Sequence, residues 1–102
     1  MNRIEKIEEV VLWAKDNELI ITFIGDEEDR HLYADAILGV TMSPHPAIVY
    51  SRSGVIQALA EMGDGDWESA VEWYSYNTER ALEYVSLEEG RPIIVEDIFF
   101  EV

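Results

Sequence analysis

The strongest constraint on the fold of this chain is its negative charge. Its 102 residues include 22 Asp and Glu against 7 Lys and Arg, a formal net charge of -15. A domain of this size needs a net charge of only about 2 to 8 for solubility, and a larger charge opposes compaction through self-repulsion. The excess of carboxylates therefore indicates a use for a negative surface.

Composition predicts one compact domain over residues 1–102. Hydrophobic residues make up 48% of the chain, which is enough for a core and excludes a disordered acidic chain. The chain has no cysteine, so disulfides are excluded and a reducing cytoplasm is favoured. The acids near the start do not fit a secretory signal, and no apolar run approaches the roughly 20 residues of a membrane span.

The acidic balance also restricts the partners. Nucleic acid and anionic lipid would be repelled, whereas a basic protein surface would be attracted. Residues 1–60 contain 10 acids and 5 bases, net -5, and residues 61–102 contain 12 acids and 2 bases, net -10. A recognition face is therefore expected in the second, shorter part of the chain.

The first predicted element is an amphipathic helix over about residues 3–15. Its apolar residues recur at helical spacing, and Asn17 is a suitable stop. An alternative stays open for residues 10–14, because residues 10–13 also fit a strand that turns into the next one.

A β-branched run predicts a strand over residues 19–24, followed by a polar loop over residues 26–30. Two further apolar stretches, residues 36–40 and 47–50, flank a Ser-Pro-His-Pro turn at residues 43–46. Because the two prolines exclude regular structure between them, these stretches are predicted to form a hairpin.

Helical spacing then returns. A short helix is predicted over residues 55–62, with Ser51 or Ser53 as its cap, and Asp66 is predicted to cap a second helix that runs to about Asn77.

The remaining elements complete the predicted fold. Residues 78–89 can add a helical turn, and residues 93–95 form a last strand that residues 97–100 can extend. The predicted class is α+β: a small, mostly antiparallel sheet of three to four strands with helices packed on one face.

Four segments also suggest a family. They are YADAILGV at residues 33–40, AIVYS at 47–51, DWESAVEWYSYNT at 66–78 and RPIIV at 91–95. In this order they resemble small acidic proteins encoded by bacteriophages and bacterial mobile elements. The resemblance covers about residues 33–95 and leaves the N-terminal third unmatched.

The chain departs from that family in two places. Residues 78–86 lack the glycines of the family's Gly-Ala-Tyr-Val-Gly segment, and Arg91 stands where Thr is usual. The group has no assigned activity, so the resemblance implies a setting, a phage or mobile element in a host cytoplasm, and no reaction.

Support for catalysis is weak. The only histidines are His31 and His45, with no cysteine and no Ser-His-Asp spacing around them. The acids at residues 26–29 are interpreted as a solvated loop rather than a cation site. No catalytic, cofactor-binding or metal-binding residue is predicted, and we expect a protein that is not an enzyme.

Acids at alternate positions in residues 64–68 are reminiscent of the start of a calcium loop. Ser69 and Ser75 stand where that loop requires Gly and Glu, so its ligand pattern is not met. A helix N-cap at Asp66, followed by acids that the helix dipole favours, is the preferred interpretation.

Four other residues are singled out by their positions. Asp35 and Asn77 are the polar residues expected to be partly buried, each in a structural role. Trp73 is expected in the core, whereas Tyr76 can be either a core residue or an anchor for a partner.

The leading hypothesis is a non-enzymatic acidic protein that binds a basic surface of a host or phage nucleic-acid-handling protein. It could act as a DNA mimic, for example against a defence nuclease such as a CRISPR effector. The alternative is a homodimeric assembly module that pairs through residues 98–100. The predicted partner-binding residues are Glu61, Asp64, Asp66, Glu68, Glu72, Tyr76, Glu79 and Glu83.

Overall fold

The chain folds into helices packed around a three-stranded sheet. The computed structural model describes residues 1–63, 65–96 and 98. Within them the predicted α+β class is confirmed, with three strands. The α-helices and strands are α1 (Arg3–Asp16), β1 (Ile37–Thr41), β2 (Ala47–Ser51), α2 (Arg52–Met62), α3 (Trp67–Trp73), α4 (Glu79–Leu82) and β3 (Ile93–Val95).

Helix α1 begins with a capping box. The Asn2 side chain accepts a hydrogen bond from the Glu5 N–H at 2.8 Å, and the Glu5 carboxylate accepts one from the Asn2 N–H at 3.2 Å. The helix continues through residues 10–14, which confirms the helical prediction over the strand. It buries Ile7 and Ala14 and packs against a 3-10 helix formed by Arg30–Ala36.

The strand predicted over residues 19–24 is wrong, because the segment is irregular. Its backbone groups bond to separate partners instead of a neighbouring strand. The Thr22 N–H donates to the Gly90 carbonyl at 3.1 Å, and the Ile24 N–H donates to the Tyr50 hydroxyl at 3.0 Å. A β-branched run favours extended backbone, but a strand also needs a partner along its length.

Strand β2 is the centre of the sheet. β1 pairs with it antiparallel, which confirms the predicted hairpin, and β3 pairs with it parallel on the other side. A register shift between Ile37 and Gly39 marks a bulge near the start of β1. Ile48 and Tyr50 of this central strand are fully buried in the hydrophobic core.

Helix α2 supplies the other side of the core. The Ser51 hydroxyl caps it by accepting a hydrogen bond from the Gly54 N–H at 3.1 Å, which confirms one of the two predicted caps. Val55 and Ile56 of α2 are fully buried. They join β2, the 3-10 helix and Tyr74 in one hydrophobic cluster.

The helix predicted from Asp66 is present, but it is longer and contains a π-helical turn. Asp66 caps α3 by accepting a hydrogen bond from the Glu68 N–H at 3.1 Å. The chain then passes through a π-helical turn (Tyr74–Thr78) into α4 with right-handed helical dihedrals at both junctions. In that turn the Glu79 N–H donates to the carbonyl of Tyr74, five residues back.

A glycine turn leads into the last strand. A 3-10 helix (Leu87–Glu89) ends at Gly90, whose φ of 78° lies in the left-handed region. The strand predicted at residues 93–95 is confirmed as β3. The extension predicted over residues 97–100 lies outside the described residues, except for Ile98, which is exposed.

Candidate functional site: an acidic helical face with exposed aromatic residues

Most of the predicted partner-binding residues lie on one helical stretch. Glu68 and Glu72 belong to α3, Glu79 to α4, and Glu83 follows α4; all four are exposed, as is Asp66 at the start of the stretch. Asp64 lies outside the described residues. Ala70 and Tyr74, on the opposite side of the stretch, are buried. We call Asp66, Glu68, Glu72, Glu79 and Glu83, with Trp73 and Tyr76, the acidic helical face.

The π-helical turn divides these acids into two rows. Glu68, Glu72 and Tyr76 follow one another at four-residue intervals, which places them in one row along the helix. Arg80 continues that row, and its guanidinium lies 5.3 Å from the centre of the Tyr76 ring. Glu79 and Glu83, also four residues apart, form the neighbouring row. Arg80 therefore places a cation among these acids, close to Tyr76.

Glu68, Glu72, Glu79 and Glu83 form no ion pair with any other residue in the described ranges. These carboxylates are therefore available to an external cation. Asp66 differs from them, because its carboxylate holds the start of α3: it accepts hydrogen bonds from the Glu68 N–H and from the Ser69 hydroxyl, the latter at 2.7 Å.

Glu61, by contrast, is neutralised within the molecule. Its carboxylate pairs with the Arg3 guanidinium at 3.3 Å, and Arg3 also pairs with Asp35 at 2.9 Å. Lys6 reaches the other Asp35 oxygen at 2.7 Å. This network joins α1, the 3-10 helix and α2, so we assign Glu61 a structural role and leave it out of the acidic helical face.

Asp35 is exposed, so the expectation that it would be partly buried is wrong. Hydrogen bonds from Lys6 and Arg3 hold the pKa of the Asp35 carboxyl below its ordinary value. The same contact with Asp35 raises the pKa of Arg3. Two cations thus pair with this carboxylate at the surface. The position of Asp35 beside an apolar run in the sequence does not predict these ion pairs.

Trp73 was expected in the core, and this prediction is wrong: 57% of its surface is exposed. Burial of Trp73 required α1 to cover α3, but α1 packs against the 3-10 helix instead. Tyr76, which the sequence left undecided, is 64% exposed. Trp73 and Tyr76 are therefore exposed among the carboxylates of the acidic helical face.

Asn77 is also exposed, contrary to the expectation of partial burial. Its side-chain amide donates a hydrogen bond to the Trp73 carbonyl at 3.2 Å. The predicted tie between this side chain and the backbone is therefore present, and it stabilises the turn from which Trp73 and Tyr76 project.

A groove of about 440 Å³ lies beside Trp73. The sequence did not predict it, because it combines the loop before the 3-10 helix, the end of α2 and the start of α3. Burial and the Asp29 carboxylate raise the pKa of the Tyr33 hydroxyl, which is therefore neutral at physiological pH. The residues that give the groove its character are Asp29, Tyr33, Leu59, Met62, Asp66 and Trp73.

The remaining candidate residues have structural positions. His31 is half-buried in the 3-10 helix, and His45 is exposed in the hairpin turn. An Asp26 oxygen accepts hydrogen bonds from the Glu28 and Asp29 N–H groups, both at 3.0 Å, which shapes the acidic loop. Residues 1–63, 65–96 and 98 contain no group of three or more His, Asp or Glu side chains placed to hold a metal ion.

No helix in the described part of the chain has both the length and the apolar character needed to cross a bilayer. Comparison with protein-family models, curated proteins and solved structures finds no match to this chain. The resemblance to phage and mobile-element proteins stays a prediction, and function has to be argued from the acidic helical face itself.

Proposed function

We propose that this protein is a non-enzymatic binding protein that docks a basic surface of another protein through its acidic helical face. One observation carries this proposal: Glu68, Glu72, Glu79 and Glu83 are exposed and form no ion pair within the described residues, and they share a helical stretch with the exposed aromatic side chains of Trp73 and Tyr76. Charge of one sign accelerates encounter with a basic partner over long range. The aromatic residues then supply apolar contact area that carboxylates cannot.

The groove beside Trp73 supports a basic partner in particular. Leu59 and Met62 line it with apolar surface, and Asp29 and Asp66 add carboxylates. A lysine or arginine side chain has this same combination of an aliphatic stem and a cationic end. Its head group gains further from the Trp73 ring, since indole is the strongest cation–π partner among the aromatic side chains.

The linear charge density of the helical stretch can be compared with that of nucleic acid, which is what a DNA mimic has to reproduce. The stretch from Asp66 to Glu83 is about 26 Å long at 1.5 Å per residue. Its five carboxylates, less Arg80, leave about one net charge per 6 Å, against about 3.4 Å per phosphate along one DNA strand. This helix therefore reaches about half the charge density of a single strand. It suits a docking face better than a copy of a duplex.

The finer identity of the partner belongs to the same proposal. The proposed partner is a basic nucleic-acid-handling or defence protein, such as a CRISPR effector, in a phage-infected cytoplasm. The acidic composition and the resemblance stated above support this choice. The rival homodimer through residues 98–100 involves residues 99 and 100, which lie outside the described residues, so it stays a prediction.

The test is a comparison of two charge-matched variants. Glu68→Gln/Glu72→Gln removes two charges from the acidic helical face, and Glu8→Gln/Glu9→Gln removes two from the exposed side of α1. Each variant is used to capture basic proteins from a bacterial lysate at about 50 mM and about 500 mM NaCl, where screening differs strongly. We expect salt-sensitive capture that the first variant loses and the second retains.

A third variant, Trp73→Ala, reports on the anchor. It leaves the charge unchanged, so we expect reduced capture with an unchanged salt dependence. Equal losses in both charge variants would mean that only total charge matters, and this would contradict a defined docking face. Absence of any salt-sensitive basic partner would remove the proposed function altogether.

A further inference from the structure

The carboxylates avoid one part of the chain completely. Residues 36–60 contain no Asp or Glu, although the chain has 22 of them. In the structure this acid-free segment comprises β1, β2, the turn between them and most of α2. The molecule therefore has one region that a second copy, itself carrying a net charge of -15, can approach with the least electrostatic repulsion.

Within that region β1 is an edge strand. The strand order is β1-β2-β3, so one side of β1 has no strand partner among the described residues. Natural edge strands are usually protected by lysine, proline or inward-pointing charge. β1 has the sequence Ile-Leu-Gly-Val-Thr and carries none of these. A bulge, which can also protect an edge, lies between Ile37 and Gly39 near the start of the strand, so residues 39–41 keep regular pairing geometry.

The apolar layer of the core also reaches this edge. Val40 lies opposite Ile48 in the β1–β2 register, and residues in such a pair point to the same face of a sheet. Ile48 is fully buried, whereas 37% of Val40 is exposed. Leu38 and Met42 nearby are 53% and 56% exposed. The hydrophobic core thus extends to β1, where its outermost apolar side chains are exposed to solvent.

The opposite edge of the sheet is a poorer candidate. β3 is three residues long, and Glu96, which is charged and exposed, follows it directly. Arg52 pairs with Glu96 at 4.0 Å beside that strand. A second copy would therefore find three strand residues at β3, against the five of β1, and would meet an ion pair beside them.

We propose that β1 pairs antiparallel with β1 of a second copy, so that two sheets join into one of six strands. Antiparallel pairing of a strand with itself satisfies a two-fold axis, the commonest symmetry of homodimers. A second copy is the occupant that the charges favour, because a basic partner gains nothing from a surface without carboxylates. This dimer is independent of the acidic helical face.

The experiment is sedimentation velocity of the full chain from about 1 to about 200 μM, a range that spans the affinities of weak dimers. We expect a monomer–dimer equilibrium that Val40→Lys weakens by about 10-fold or more, since the lysines of the two copies would meet at the joined edge. Ile20→Lys is the matched control. It also replaces an exposed β-branched residue, but in the irregular segment beside Gly90 rather than in β1, and we expect an unchanged equilibrium.

Two further readouts keep the outcome decisive. Far-UV circular dichroism checks that Val40→Lys folds, and amide exchange of wild-type β1 should slow as the concentration rises. Salt should strengthen the dimer by screening the repulsion between copies, whereas it weakens binding to a basic partner. A monomer at every concentration, or equal effects of the two lysine variants, would overturn the proposal and leave the docking function untouched.

Discussion

At the scale of single residues, Tyr50 connects the sheet to the irregular segment. Its side chain is fully buried, and its hydroxyl accepts a hydrogen bond from the buried Ile24 N–H at 3.0 Å. The sequence of the strand does not predict this contact, because the partner is a backbone group 26 residues earlier. Tyr50 therefore supplies one of the separate anchors that replace the predicted strand.

Removing that hydroxyl should destabilise the fold measurably. We expect Tyr50→Phe to lower the free energy of unfolding by about 1–3 kcal/mol, because the Ile24 N–H is left buried without an acceptor. Urea denaturation measures the difference. Tyr84→Phe is the control, since Tyr84 is 89% exposed and its loss should be negligible. Equal effects in the two variants would contradict the assigned hydrogen bond.

The same residue predicts the behaviour at high pH. Burial raises the pKa of Tyr50 to about 12, so the folded state disfavours its phenolate. The contribution of the protonated Tyr50 hydroxyl to the free energy of unfolding is fully present below the unfolded-state pKa of about 10. It is lost as pH rises from there toward about 12. Urea midpoints measured from about pH 9 to about pH 11 should fall less steeply in Tyr50→Phe than in the wild type. Parallel curves would show that another group dominates.

At the scale of elements, local signals predicted most of the regular structure. The caps Ser51 and Asp66 make the expected hydrogen bonds, and α1, β1, β2 and β3 occur where periodicity placed them. The predictions that were wrong depend on contacts between elements that are distant in sequence. The partners of residues 19–24 and the exposure of Trp73 follow from how loops and α1 pack, and a single sequence does not contain that information.

The turn at Gly90 shows how a loop substitutes for a neighbouring strand. Its carbonyl accepts the Thr22 N–H, and the preceding Glu89 carbonyl accepts the Thr22 hydroxyl at 2.8 Å. A Cβ on Gly90 would lie 2.5 Å from the Ile20 carbonyl oxygen, far inside normal contact. The left-handed backbone and the close approach both require glycine here.

These two requirements can be separated. Gly65 also has a positive φ, of 84°, but a Cβ there meets no atom of the described residues within 4 Å. We expect Gly65→Ala to cost about 1 kcal/mol from backbone strain alone, and Gly90→Ala to cost clearly more because residues 20–21 must move as well. Thermal unfolding of both variants measures the difference, and equal destabilisation would mean that the contact with residues 20–21 is not tight.

At the scale of the whole molecule, the charge is divided between two kinds of surface. The chain packs to a radius of gyration of 13.3 Å, close to the roughly 13 Å of an ordinary domain of this length, in spite of its net charge. All 22 acids lie outside residues 36–60. The acidic helical face and the acid-free β1 edge can therefore serve different partners, a basic protein and a second copy.

The acids alone do not identify a docking face, because α1 and the loop at residues 26–29 also expose carboxylates. The distinguishing property of the acidic helical face is that Trp73 and Tyr76 lie within it. The sequence does not predict this property, because its helical pattern favours Trp73 in the core.

NMR mapping of a cationic probe locates the docking surface residue by residue. A short arginine-rich peptide is titrated into the ¹⁵N-labelled full chain, and amide and indole shifts are followed residue by residue. If the acidic helical face is the docking surface, we expect saturable shifts centred on residues 66–83, including the Trp73 indole N–H, with smaller changes on α1 and at residues 26–29. Shifts of equal size on all acidic segments, with no response from Trp73, would contradict that assignment.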